Sequence, residues 1–320
     1  AQRIHNRLAG VPADAATLTE MAQLIDNNQV AEAAELAMDN PAFYNVTIKQ
    51  FATPWTNEAQ DVFAPLNDYT ATIIGVVRDD VDFRRILYSD LLYVGNASPA
   101  ASPSSNAHYQ ALEDQHADLS TVLTESSQAS QYGTPAEAVA GVLTTRAAAN
   151  AFFYAGTNRA MLRFTMMNHM CRDLEQVKDT TRPSDRIRQD VSRSPGGDSR
   201  IFRNSCIGCH SGMDPLAQAF AYYDWEGEQE GNGGRMVYNS GNDAETGTRV
   251  QGKYLINSNN FPWGYITPDN SWDNYWRKGP NANLGWDPNL PGSGEGAASM
   301  GKELAHSEVF ATCQAEKVFQ

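Results

Sequence analysis

Residues 206–224 read Cys-Ile-Gly-Cys-His-Ser-Gly-Met-Asp-Pro-Leu-Ala-Gln-Ala-Phe-Ala-Tyr-Tyr-Asp. The first five are the informative ones. Two thiols three residues apart near a helix start can reach the two vinyl groups of one porphyrin and form thioethers. The residue after the second thiol then lies under the iron and offers an imidazole nitrogen. C-x-x-C-H is the attachment pattern of c-type haem. With four Cys and six His in 320 positions, chance gives the string about once in a thousand such chains. The expected cofactor is one covalent haem c, attached at Cys206 and Cys209 with His210 as axial ligand. A zinc site would need two further Cys or His ligands at finger or ribbon spacing, and the flanks offer none. A thioredoxin-like dithiol would follow a strand in a βαβ unit, whereas the segment before Cys206 is rich in Arg, Asp, Ser and Gly.

Downstream, Leu216, Ala219, Phe220 and Tyr223 share one helical face, with Pro215 suited to the first helical position. Met213 lies three residues after His210 on the same side of the chain, so it reads as packing. The sixth iron position has five candidate ligands: Met236, Met300, His169, Met170 and His306. A neighbouring subunit is a further source. His169 and Met170 end an apolar helix, where core Met and a satisfied His are ordinary. Met236 and Met300 lie near glycine-rich stretches.

The remaining chain reads as mostly α, with long irregular Gly/Asn/Trp-rich loops and little strand. Residues 1–95 form an N-terminal helical region, with stripes at Leu18, Met21, Ala22, Ile25 and at Phe83, Ile86, Leu87, Leu91. Residues 96–132 read as a Ser/Pro-bearing linker and loop. Residues 133–320 form the haem-binding region, continuous with the N-terminal helices. Within it, Thr134-Pro-Ala-Glu137 is a capping box that opens a helix through about Tyr154. A second helix is expected over about 158–171, and a last one from about Ala298 to Val318. Five of the six tryptophans (Trp225, Trp263, Trp272, Trp276, Trp286) follow the haem string. They pin a segment too poor in regular pattern to hold itself, as a cover over the porphyrin or a partner-binding face. Asp269 and Asp273 read as loop caps; they lack the spacing of an EF-hand calcium site.

Haem is attached on the oxidising side of a membrane. Cys171 and Cys313, both on apolar helices, can therefore pair as a disulfide; the alternative is two buried free thiols. No run of 18 apolar residues exists, so no transmembrane segment is expected. The net charge of −14 argues against nucleic acid, which needs cations, and favours a basic redox partner protein. The first residues, Ala-Gln-Arg-Ile-His, fit a mature or an internal start. A periplasmic or cell-surface (extracellular) location follows from the haem chemistry.

These blocks together resemble the planctomycete-type cytochrome c family, whose domains are largely of unknown function. The resemblance rests on C-x-x-C-H-x-x-M-D-P at 206–215 and on Gly301-Lys-Glu-Leu-Ala-His-Ser-Glu-Val-Phe-Ala-Thr-Cys313. Asp80-Val-Asp-Phe-Arg-Arg-Ile-Leu-Tyr-Ser-Asp-Leu-Leu92 adds to it, and Cys171 matches the family's cysteine before the haem segment. It implies a multi-helix haem-c domain, exported from the cytoplasm, with Cys206, Cys209 and His210 holding the group. The family's last helix runs beyond the counterpart of Cys313, so the native end is expected past Gln320. Three functions are weighed. The first is an electron-transfer relay by outer-sphere Fe(III)/Fe(II) cycling. The alternative is a haem-bearing structural subunit of a surface filament or larger complex, with homo-oligomers included. The third is a peroxidase-like enzyme, for which only Arg235, Asp198 and Arg200 stand out. No catalytic residue is assigned.

Overall fold

The computed structural model describes residues 1–187, 198–228, 233–255 and 265–319, without the side chains of residues 199 and 202. The fold is mostly helical, and among the described residues the strands form short antiparallel pairs. Two compact units divide it. The first comprises residues 1–83, 92–102 and 106–126; the second comprises 84–91, 103–105 and 127–320.

In the first unit, α1 (Gln2–Leu8), α2 (Ala15–Asp26) and α3 (Val30–Met38) bury Met21, Ala33 and Ala37 against one another. Asp14 caps α2 by accepting from the Ala16 and Thr17 amides. Of the Leu18/Met21/Ala22/Ile25 stripe, only Met21 is fully buried. After α4 (Lys49–Ala52), α5 (Asp68–Arg78) is buried from Asp68 through Val76. Asn67 caps it at the Thr70 amide. Strand β1 (Leu92–Val94) lies along α5 so closely that a Cβ at Gly75 would sit 2.0 Å from the Tyr93 ring. The 96–132 stretch carries helix α6 (Ala107–Asp114), helix α7 (Leu119–Val122) and strand β2 (Thr124–Ser126), which pairs with β1. It also carries helix α8 (Gln128–Tyr132), in the second unit.

The second unit corrects three expected helices. The capping box at Thr134 opens no long helix; a single tight turn spans Ala136–Ala138, and α9 (Arg146–Phe152) starts later, capped by Thr145. The backbone between them bonds elsewhere. Gly141 N donates to Ser89 O, Val142 N to Ile86 O, and Gln128 Nε2 to Gly141 O. Gly141 takes a positive φ of 53°, and a Cβ there would meet the Ile86 carbonyl. Helix α10 (Asn158–Met170) ends as expected, with Cys171 in the left-handed conformation. Past the short helix α11 (Ser199–Ile201), α12 (Ile207–Ala217) begins eight residues before the expected start, and Pro215 lies inside it. Finally, the C-terminal helix is two helices, α13 (Gly296–Ala305) and α14 (Glu308–Phe319). Ser307 Oγ accepts from the Phe310 amide, and Glu308 N turns away to Gly285 O.

Strands β3 (Tyr223–Glu226) and β4 (Arg235–Tyr238) pair, as do β5 (Ser271–Asp273) and β6 (Ser293–Glu295). The tryptophans anchor these irregular segments. Trp272 Nε1 donates to Ser299 Oγ at 2.7 Å, and Trp286 Nε1 to the Trp276 and Asn281 carbonyls. The Arg146 guanidinium lies over the Trp225 ring. Trp263 lies outside the described residues. No helix among the described residues is long and apolar enough to cross a membrane.

Cys171 and Cys313 form a disulfide across 142 residues, tying the end of α10 to α14. A loop of that length removes much denatured-chain entropy. Replacing both cysteines (Cys171→Ser with Cys313→Ala) should cost about 2–5 kcal/mol, read as a lower denaturant midpoint under oxidising conditions. The wild type treated with reductant should move toward the same value.

Candidate functional site

Cys206 closes the π-helical turn Phe202–Cys206 and is the N-cap of α12, and Cys209 and His210 lie in the first turn of that helix. At about 100° per residue, Gly208, Ser211, Gly212 and Pro215 share one side of this helix. Cys209, His210, Met213 and Asp214 share the other. The glycine side is packed tightly. Asp179 N donates to Gly208 O at 2.7 Å, and Ser211 Oγ donates to Asp179 O at 2.8 Å. The Trp276 indole lies flat enough on Gly212 that a Cβ there would sit 2.0 Å from its Nε1. These contacts hold a helix whose interior proline removes one backbone hydrogen bond, to the Ser211 carbonyl.

On the other side, the two thiols are half-buried and not joined to each other. Cys206 and Ile207 pack on Ile187. Cys209 Sγ lies 3.6 Å from Leu174 O. Burial, then the nearby Glu175 carboxylate, push the Cys209 thiol up from its ordinary value.

His210 is oriented by Asp214, one helical turn on. Its Nδ1 lies 3.0 Å from Asp214 Oδ1, and because an ionised carboxylate only accepts, Nδ1 carries the donated hydrogen. Asp214 is fully buried. Its second partner is Arg159 in the first turn of α10: Nε donates to Oδ1 at 2.6 Å and Nη2 to Oδ2 at 2.9 Å. Burial alone would raise the Asp214 carboxyl; the Arg159 guanidinium and then His210 outweigh it and hold the group well below the usual carboxylate range. Asn158 Nδ2, donating to Ala217 O at 2.7 Å, fixes α10 against the end of α12. The i, i+4 spacing of His210 and Asp214 was the signal for this pair. It is hidden when Pro215 is taken as the helix start. Nothing in the sequence singles out Arg159, 55 residues upstream of its partner.

The remaining candidates are dispersed. His169 is fully buried, and burial followed by Lys317 pushes its imidazole well below the ordinary value. Met170 and Met300 are fully buried, and Met170 Sδ receives Ser307 Oγ at 3.8 Å. Met236 is half-buried on β4 opposite Trp225. His306 follows α13 and its ring packs near Tyr88. Met213 is buried on α12 itself. Among the enzyme candidates, Arg200 pairs with Asp198 and Arg235 with Glu226, all near the surface. Asp269 Oδ1 accepts from the Ser271 amide, and Asp273 pairs with Arg186. Among the described residues, no group of three or more His, Cys, Asp or Glu side chains gathers to hold a metal ion.

The donor types are those a covalently held haem would use: two thiols three residues apart at the start of α12, and one imidazole oriented through its Nδ1. Comparison of the chain with family models, with curated proteins and with solved structures found no match.

The contact between Gly212 and Trp276 predicts that Gly212→Ala destabilises the second unit by about 1–3 kcal/mol, the usual cost of overpacking. Trp276→Leu in the same background should recover part of that loss. Thermal unfolding of the three proteins checks it.

Proposed function

We propose that the chain is a single-haem c-type cytochrome acting in electron transfer, located in the periplasm or at the cell surface, as its resemblance to the planctomycete-type family implies. The observation that carries this reading is the arrangement at the start of α12: Cys206 at its N-cap, Cys209 and His210 in its first turn, and His210 Nδ1 held by the buried Asp214 carboxylate. When bound, haem c supplies reversible one-electron exchange at its iron. Cys206 and Cys209 would anchor the group through thioethers, and His210 Nε2 would be the axial donor. Asp214 fixes the tautomer and plane of that imidazole, as carboxylates do behind ligating histidines. Arg159 and His210 together match the Asp214 charge inside the protein, where an unpaired carboxylate would be very costly. Trp276 and the Asp179 backbone hold α12 from behind, which would keep His210 in place as the ligand.

The acidic surface, with its net charge of −14, would steer a basic redox partner and weaken with salt. A second reading, a haem-bearing subunit of a filament or larger complex, is favoured by one observation. Every residue of this site lies in the second unit, and the first supplies none of them.

The test is secretion of the chain in a host that attaches haem c. The purified protein should give a pyridine haemochrome spectrum with one haem per chain. Its reduced spectrum should be low-spin and unchanged by carbon monoxide. Cys209→Ala should yield little coloured protein, and His210→Ala should lose the low-spin spectrum. A colourless wild type contradicts the reading. A high-spin ferric protein that turns over peroxide points instead to an enzyme. Elution at a multiple of the chain mass supports the assembly reading.

A further inference from the structure

We infer that Arg159, Asp214 and His210 form an opposed pair of controls on the axial imidazole. The Asp214 carboxylate strengthens His210 as a donor, and Arg159 draws that influence back. The inference rests on the cytochrome reading above, because it concerns the reduction potential of a group that His210 would ligate.

The geometry is a contest for one oxygen. Asp214 Oδ1 receives Arg159 Nε at 2.6 Å and His210 Nδ1 at 3.0 Å. Arg159 Nη2 takes the other oxygen at 2.9 Å. The guanidinium therefore engages both oxygens and makes the shorter contact to the shared one. The carboxylate side chain is 0% exposed and that of Arg159 is 14% exposed, so water screens these interactions poorly. A hydrogen bond from a ligating histidine to a carboxylate raises ligand basicity. A more basic ligand favours the higher oxidation state of the metal, which lowers the potential. Removing the carboxylate charge should raise it. Removing the cation that competes for that charge should lower it. Arg159 is a positioning residue held on a helix junction, since Thr157 caps α10 and Asn158 ties it to Ala217. Its place beside Asp214 therefore does not depend on a mobile loop.

The experiment is a redox titration of the haem-loaded wild type and of Asp214→Asn, Arg159→Gln and Arg159→Lys. Asp214→Asn should raise the midpoint by about tenfold or more in the one-electron equilibrium constant, about 59 mV. Arg159→Gln should lower it, because His210 and the new amide still donate to the carboxylate while the opposing charge is gone. Arg159→Lys, which keeps the charge without the fork, should fall between wild type and Arg159→Gln. A merely structural role would shift the Asp214 and Arg159 variants the same way, by loosening the same packing. Shifts of one sign, or an Arg159→Gln midpoint equal to or above wild type, overturn the inference. If Asp214→Asn yields no haem-loaded protein, the two Arg159 variants decide. Loss of haem-loaded protein in all three variants also overturns it, because the triad would then serve folding alone. A wild type without covalent haem overturns the cytochrome reading itself; a haem-loaded wild type with the wrong variant pattern overturns only this inference.

Discussion

The fully buried carboxylate of Asp214 places demands on several parts of the second unit. A charge taken out of water must be matched by partners with good geometry, or the protein loses several kcal/mol. Asp214 is matched by the Arg159 fork and by the His210 Nδ1 hydrogen. Each partner needs its own support. Arg159 is placed by the capped start of α10, and α10 is tied to α14 by the Cys171–Cys313 disulfide. His210 is placed by α12, which is pressed from behind by the Asp179 backbone and the Trp276 indole. The orientation of one imidazole thus depends on contacts drawn from four separate stretches of the second unit.

Small residues make those contacts possible. Gly212 admits the indole, Gly141 admits the Ile86 carbonyl, and a Cβ at Gly301 would lie 1.9 Å from the Leu87 carbonyl oxygen. At each place a backbone or aromatic group occupies the space a side chain would fill. Pro215 fits the same pattern. Inside α12 it removes a backbone hydrogen bond, an unfavourable choice for an isolated helix, and packing on both sides of the helix offsets the loss.

The sequence was most legible where chemistry fixes spacing. Cys206, Cys209 and His210 stand out because their spacing is rare by chance, and α10 could be bounded because its apolar run ends at Cys171. The mostly helical class followed from the 3.6-residue periodicities. Tertiary bonding hid the rest. The Thr134 capping box pointed to a long helix, yet the amides of Gly141 and Val142 bond to residues near 86–89. Ser307 carries no strong breaking signal, and the chain divides there because Glu308 N bonds to Gly285 O. Pro215 looked like a start, which concealed the one-turn relation of His210 and Asp214. Arg159 was invisible because only the folded helices bring it to Asp214.

The central claim is that Cys206 and Cys209 serve as anchors for one haem rather than as a dithiol or a metal site. The most direct measurement is the intact mass of the secreted, unfolded, non-reduced chain, followed by peptide mapping of residues 206–210. The account predicts a chain heavier by one haem, with the added mass on the peptide bearing Cys206 and Cys209 and the Cys171–Cys313 bridge elsewhere. A chain at its bare mass from a host that matures other c-type cytochromes, or one with Cys206 and Cys209 joined to each other, would contradict it.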